Sequence, residues 1–178
     1  MFKDFEFGDI YKNAHLAKIE QSNEHLESLL NWLTKSFGLL YFCGSVGAGK
    51  TYFAAAIRNE LRDKKKAHRA YSEAFLLSEL RKCISLGWDA GDRIEAICDT
   101  EFLIIDDLGS SSMTDWQKEV LFHLVDLRYT TNKPTLITSN LTYNKLKETF
   151  HERFASRVYG VKNTIICVNC EDRRQQIM

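Results

Sequence analysis

The chain has 178 residues, enough for one domain with a sizeable core, and its 44% hydrophobic and 27% charged residues are typical of a globular protein. The formal net charge is zero, so no overall basic field favours nucleic acid, and any DNA contact must come from local patches. The sequence shows no signal segment and no apolar stretch long enough to cross a membrane, which favours a cytoplasmic protein with no membrane contact.

A phosphate-binding loop follows the first long apolar run. Leu39–Cys43 predicts a buried strand, and Tyr52–Leu61 carries helix formers. The residues between them fit the pattern G-x-x-x-x-G-K-[ST]: Gly44, Ser45, Val46, Gly47, Ala48, Gly49, Lys50 and Thr51. In such a loop the backbone N–H groups and the helix dipole bind phosphates. Lys50 then reaches the β- and γ-phosphates and Thr51 binds Mg²⁺, so the pattern predicts a nucleotide site rather than a chance match.

The rest of the chain alternates short apolar runs with amphipathic stretches, which predicts an α/β sheet with crossover helices. Further strands are predicted at His68–Tyr71, Phe102–Ile105, Thr135–Thr138 and Thr164–Val168. Helices are predicted at Glu24–Lys35, Ser72–Leu86, Arg93–Cys98 and Thr114–Tyr129, the last opened by a capping box of Thr114 and Gln117. We expect residues 1–38 to form a lead-in with one helix and residues 39–178 to form the core.

Polar side chains follow two of the predicted strands. Asp106 and Asp107 come directly after Phe102–Ile105, as in a Walker B motif, where one carboxylate holds Mg²⁺ and a second orients the attacking water. We assign Mg²⁺ to Asp106 and the water to Asp107, whose short reach predicts slow hydrolysis. Asn140 closes the strand at Thr135–Thr138, where its amide would lie beside the γ-phosphate. A pair of loop aspartates and a helix-capping asparagine are the alternatives.

The cysteines and the basic residues offer weaker signals. An odd number of cysteines, five, in apolar surroundings favours reduced core thiols over disulfides, and the C-x-x-C of Cys167 and Cys170 has no second pair nearby. The basic run at residues 64–69 offers phosphate contacts to DNA, or it is a solvated helix terminus. Trp88, in a loop, is a candidate for stacking on unpaired bases, whereas helical spacing places Phe75 in the core.

Together these motifs resemble those of AAA+ ATPases, and most narrowly the DnaC/IstB-type group of helicase loaders and transposition ATPases. The most specific pieces are Phe102–Gly109, which ends in Asp-Asp-Leu-Gly, and Arg128-Tyr129 followed by Lys133–Leu141. The resemblance runs from about Leu39 to Arg174. It implies a P-loop NTPase (AAA+) core with a five-stranded parallel sheet in the order 5-1-4-3-2, flanked by helices, with no or a minimal C-terminal lid. ATP would lie at the carboxyl ends of the strands.

The resemblance also implies roles for residues outside these motifs. Arg153 and Arg157 are spaced i, i+4, so they share a face of one predicted helix. Arg157 occupies the family's arginine-finger position and would act in trans on the γ-phosphate of a neighbouring subunit. Arg174 matches the arginine that senses nucleotide in cis, and Ile10-Tyr11 matches residues that lie against the adenine base.

The resulting interpretation is an ATP-binding, slowly hydrolysing helicase loader or DNA replication factor. Its partners would be a replicative helicase, single-stranded DNA and further copies of itself, joined through Arg157. Two alternatives stay open. One is an IstB-like transposition accessory ATPase that acts on duplex DNA, and the other is a nucleotide-switched binding module with little turnover.

Overall fold

The strands line up in the predicted order. The computed structural model describes residues 5–19, 23–87 and 89–168. Within these residues the strands are β1 Leu39–Gly44, β2 His68–Ser72, β3 Phe102–Leu108, β4 Thr135–Ser139 and β5 Thr164–Val168. They form one parallel sheet in the order β2-β3-β4-β1-β5, which confirms the predicted five-stranded parallel sheet and its order.

Helices connect the strands and cover both faces of the sheet. The helices are α1 Asn23–Lys35, α2 Lys50–Asp63, α3 Glu73–Ser85, α4 Ala90–Cys98, α5 Asp115–Thr130, α6 Tyr143–Thr149 and α7 Glu152–Val158. Two short 3₁₀ turns, Asp9–Tyr11 and Leu16–Lys18, precede α1. The predicted capping box at the start of α5 is present. None of the described helices is long and apolar enough to span a membrane.

The central strands are buried on both faces, so successive residues pack into two different apolar layers. Tyr41 of β1 and Ile105 of β3 belong to the layer beneath α3–α7. Phe42 and Ile104, their neighbours along the strands, belong to the layer beneath α1, α2 and the first residues of the chain. This alternation follows from the two-residue period of a strand, and burial on both faces is usual for parallel sheets. Because both faces of the sheet are covered, a nucleotide site is expected at its carboxyl edge.

Arg128 of α5 explains part of the Arg-Tyr motif that precedes β4. Its side chain is 1% exposed and donates to Thr135 Oγ1 at 2.6 Å. It also donates to four backbone carbonyls, of residues 98, 100, 101 and 134. Burial lowers the pKa of Arg128 to about 10. Because all these acceptors lie near the starts of β3 and β4, the guanidinium ties α5 to the amino edge of the sheet, opposite the nucleotide-binding edge.

Cys43 on β1 and Cys167 on β5 form a disulfide, so the expectation of reduced thiols is wrong for this pair. The parallel register of the two strands places these residues opposite each other, with their Cα atoms 4.6 Å apart. They are 124 residues apart in sequence, so spacing along the chain could not reveal the pairing. Cys83 and Cys98 are buried free thiols, and Cys170 lies outside the described residues.

Candidate nucleotide-binding site

The phosphate-binding loop lies at the carboxyl edge of the sheet, between β1 and the first turn of α2. Gly47 and Gly49 have φ angles of 80° and 84°, in the left-handed region that favours glycine. A Cβ on Gly44 would lie 2.3 Å from the carbonyl oxygen of Val168, so only glycine fits there. The glycines therefore allow a tight loop that ends at the N-terminus of α2, where N–H groups are free to bind anions.

Lys50 is held against this loop by the loop's own carbonyl groups. Its Nζ donates to the carbonyl oxygens of Gly44 at 3.1 Å and Ser45 at 2.7 Å, and the side chain is largely buried. The ammonium is therefore positioned by backbone atoms of the same short segment. It lies at the edge of the sheet, where phosphates would neutralise its charge.

A cavity of about 580 Å³ opens beside the loop, a volume within the range of small-molecule sites. One wall consists of residues 46–53, the loop and the start of α2. Asp107 and Asn140, from the ends of β3 and β4, form a second wall. Three residues from the N-terminal segment, Tyr11, Lys18 and Ile19, form a third. The structure therefore brings the predicted Lys50, Thr51, Asp107 and Asn140 to one cavity.

Asp106 lies directly beneath the loop and contacts the predicted Mg²⁺ ligand Thr51. Asp106 is 4% exposed, and its carboxylate accepts a hydrogen bond from Thr138 Oγ1 at 2.5 Å. Burial raises its pKa, and the neighbouring hydroxyls of Thr138 and Thr51 oppose that shift. Mg²⁺ takes few protein ligands and completes its shell with water and phosphate oxygens. One hydroxyl and one carboxylate in contact fit that requirement.

Asp107 reaches the cavity because the backbone bends there. Its φ of 60° lies in the left-handed region, and the pairing of β3 with β4 shifts register between Ile105 and Leu108. The Asp107 N–H donates to Thr138 Oγ1 at 2.9 Å, which fixes the bend to β4. Asn140, directly after β4, is exposed on the same side. A carboxylate and an amide thus face the space next to Lys50, where a water molecule could be held.

The third wall is anchored to α2. The side-chain amide of Asn59 donates to the carbonyl oxygens of Tyr11 and Lys12 at 3.3 Å and of Ala14 at 2.9 Å. The ring of Tyr11 meets that of Tyr52 edge-on, with centroids 6.5 Å apart. These contacts hold an aromatic side chain at the cavity, where it could pack against a nucleotide base. Sequence reasoning named Tyr11 but missed Asn59, which has no motif around it.

Ile10 and the basic run at residues 64–69 do not line this cavity. Ile10, the neighbour of Tyr11, is 82% exposed. Lys18 and Ile19 line the cavity in its place, and no sequence signal pointed to them. The basic run lies at the opposite edge of the sheet, before β2, and two of its lysines pair with glutamates: Lys64 with Glu60 and Lys66 with Glu101. Trp88 and Arg174 lie outside the described residues.

Arg157 is paired within its own subunit. Its Nε donates to Asp126 Oδ1 on α5 at 2.5 Å, and its guanidinium lies 5.2 Å from the centre of the Tyr129 ring. The side chain is only partly exposed, and it is not among the residues that line the cavity. Arg153, one turn earlier on α7, is exposed. Neither arginine therefore reaches the nucleotide site of its own copy.

A protein-family profile described as "IstB-like ATP binding protein" matches residues 4–158. The chain belongs to this family. The replicative helicase loader DnaI of Bacillus subtilis (strain 168) is 31% identical over 147 residues, which cover 82% of this chain and 46% of DnaI. The replicative helicase loader DnaC of Escherichia coli (strain K12) is 23% identical over 137 residues, 76% of this chain and 56% of DnaC. This IstB-like chain thus spans about half the length of these curated relatives.

Solved structures support the same fold for this IstB-like protein. The crystal structure of a DnaC helicase loader superimposes with a TM-score of 0.75 at 24% identity, covering 90% of this chain and 99% of that one. The replication initiator DnaA bound to AMPPCP and single-stranded DNA gives a TM-score of 0.78 at 19% identity, covering 90% of this chain and 51% of that one. At these identities the likeness concerns the fold, which is that of AAA+ P-loop NTPases, as predicted.

Proposed function

We propose that this protein binds ATP with Mg²⁺, hydrolyses it slowly, and acts as a cytoplasmic helicase loader or a related DNA replication factor. The observation that carries the proposal is the cavity in which Lys50, Asp107 and Asn140 meet, with the contact of Thr51 and Asp106 beneath it. Residues 39–178 would form the ATPase core. The segment before residue 39 would supply the wall for the base, as the position of Tyr11 supports.

Each side of the cavity has a separate task in this proposal. The N–H groups of the loop and Lys50 bind the phosphates. Mg²⁺, held by Thr51 and Asp106, would neutralise phosphate charge when bound. The Asp107 carboxylate orients the attacking water and takes its hydrogen bond, while the Asn140 amide bonds the γ-phosphate and that water. Arg174 is assigned, from the family resemblance alone, to sensing nucleotide in cis.

The proposed arginine finger, Arg157, must leave its own subunit's Asp126 to act in trans. Exposed ion pairs of this kind contribute about 0.2–1 kcal/mol, so a neighbour's γ-phosphate can compete for the guanidinium. If Arg157 acts on the ATP of a second copy, the rate of hydrolysis per molecule rises with protein concentration. Arg157→Ala should lose this rise and keep its affinity for ATP. Arg153→Ala, on the same helix, is the matched control. Loss of ATP binding in Arg157→Ala would contradict the trans role.

A replicative helicase and single-stranded DNA are the proposed partners, because DnaI and DnaC are replicative helicase loaders. The test is sedimentation with a non-hydrolysable ATP analogue and fluorescent single-stranded or duplex DNA. We expect the wild-type protein to assemble on single-stranded DNA when the nucleotide is bound. Lys50→Ala and Arg157→Ala should both abolish this assembly. Assembly on duplex DNA would instead favour a transposition accessory ATPase. This is the second candidate, because the chain belongs to the IstB-like family. Nucleotide-dependent binding without turnover would favour a binding module.

A further inference from the structure

A buried carboxylate lies beside the Walker B turn, residues 106–111, and does not line the nucleotide cavity. Glu73 is the first residue of α3 and follows β2, the strand that pairs with β3. Its side chain is 1% exposed. Glutamate is rarely buried to this extent, because the charged form loses its water, so its neighbours must supply hydrogen bonds.

The bonds to Glu73 come from the residues that follow Asp107 in sequence. One carboxylate oxygen accepts the backbone N–H of Gly109, and the other accepts the hydroxyl of Ser111 at 2.9 Å. Gly109 has a φ of 77°, and a Cβ there would lie 2.3 Å from the Leu141 side chain. The backbone therefore makes a tight turn at Gly109, and Glu73 holds that turn from the side of α3.

Asp107 lies between two such attachments. On one side its own N–H is bonded to Thr138 of β4. On the other side, two residues later, the Gly109 N–H is bonded to Glu73. Asp107 itself has a left-handed conformation, which is unfavourable for a non-glycine residue and persists only where the surroundings hold it. The direction of its carboxylate thus depends on one bond from β4 and one from the start of α3.

We propose that Glu73 is a positioning residue for ATP hydrolysis, which keeps the Asp107 carboxylate aimed into the nucleotide cavity. The inference rests on the proposed ATPase function. Glu73 contributes no atom to the cavity, so it acts through the turn and not on the nucleotide. It joins the first residue of α3 to this turn.

The first test separates nucleotide binding from turnover. Glu73→Ala should lower kcat about tenfold, because a small displacement of a reacting group has a large effect on rate. The Kd for ATP should stay within about twofold, since the phosphate loop is untouched. Glu73→Gln should lose less, because its amide oxygen accepts from Gly109 while its NH₂ donates to Ser111. Glu79→Ala, on the same helix and paired with Lys82, is the matched control and should keep full activity.

The second test does not depend on activity. The amide hydrogen of Gly109 should exchange faster with solvent in Glu73→Ala than in wild type or Glu79→Ala, as measured by NMR. If Glu73→Ala does not fold, kcat and the Kd for ATP are measured on Ser111→Ala and Glu73→Gln instead. An unchanged kcat, or ATP affinity and kcat falling together, would overturn the positioning role. If the wild-type protein does not hydrolyse ATP, the proposed ATPase function is overturned. If the exchange of the Gly109 amide is unchanged in Glu73→Ala, Glu73 does not hold the turn and the inference is overturned.

Discussion

The phosphate loop and the Walker B turn face each other across one cavity, but they are built in different ways. The loop is a single segment in which two glycines adopt positive φ angles and Lys50 donates to the loop's own carbonyl groups. The Walker B turn is held by side chains of β4 and α3, 31 to 38 residues away in sequence. Local changes in the loop should therefore affect binding, and changes around the turn should affect turnover. One cavity would thus assign ATP binding and ATP hydrolysis to two walls that are built differently.

The largest expected effect concerns the phosphate loop. Lys50→Ala removes the ammonium that reaches the phosphates, so the Kd for ATP should rise by about 100-fold or more. Equilibrium binding of a fluorescent ATP analogue measures this change. Lys66→Ala is the control, because Lys66 pairs with Glu101 at the opposite edge of the sheet. An unchanged Kd in Lys50→Ala would contradict the assignment of the loop.

A smaller effect should distinguish the part of the cavity that binds the phosphates from the part that binds the base. Asn59→Ala removes the amide that holds the segment around Tyr11, so ATP affinity should fall about fivefold with kcat unchanged at saturation. Binding of inorganic tripolyphosphate, which has no base, should not change. Arg62→Ala, an exposed position on the same helix, is the control. Equal losses for ATP and tripolyphosphate would show that Asn59 supports the loop instead.

The smallest expected effect is on stability. Burial raises the pKa of Glu73, and Asp107 adds to that rise, while the bonds from Gly109 and Ser111 oppose it. Stability from a raised pKa is present below the unfolded-state value and lost as pH rises through the folded-state value. Glu73→Gln cannot titrate. As pH rises above the ordinary pKa of a glutamate, urea unfolding should therefore show a larger loss of stability in wild type than in Glu73→Gln. Parallel pH dependences would contradict this.

The phosphate loop and the positions of Asp106 and Asn140 were predictable, because short motifs and strand ends carry that information. The strand order was predicted from the family resemblance. The other groups that support the site were not predictable. Glu73 bonds residues 36 and 38 positions away, and Asn59 bonds carbonyls 45 to 48 positions away. Such partners meet only when β2, β3 and α2 have packed, and neither residue lies in a recognisable pattern. For the same reason the cis pair of Arg157 and Asp126 was not foreseen.

Asp107→Asn tests the separation of binding and turnover most directly. The amide keeps the size of the side chain but is a poor acceptor for a water proton, so kcat should fall about 100-fold. The Kd for ATP, measured on the same preparation, should stay within about twofold of wild type. Full turnover in Asp107→Asn, or a loss of ATP affinity that accounts for the loss of rate, would contradict the account.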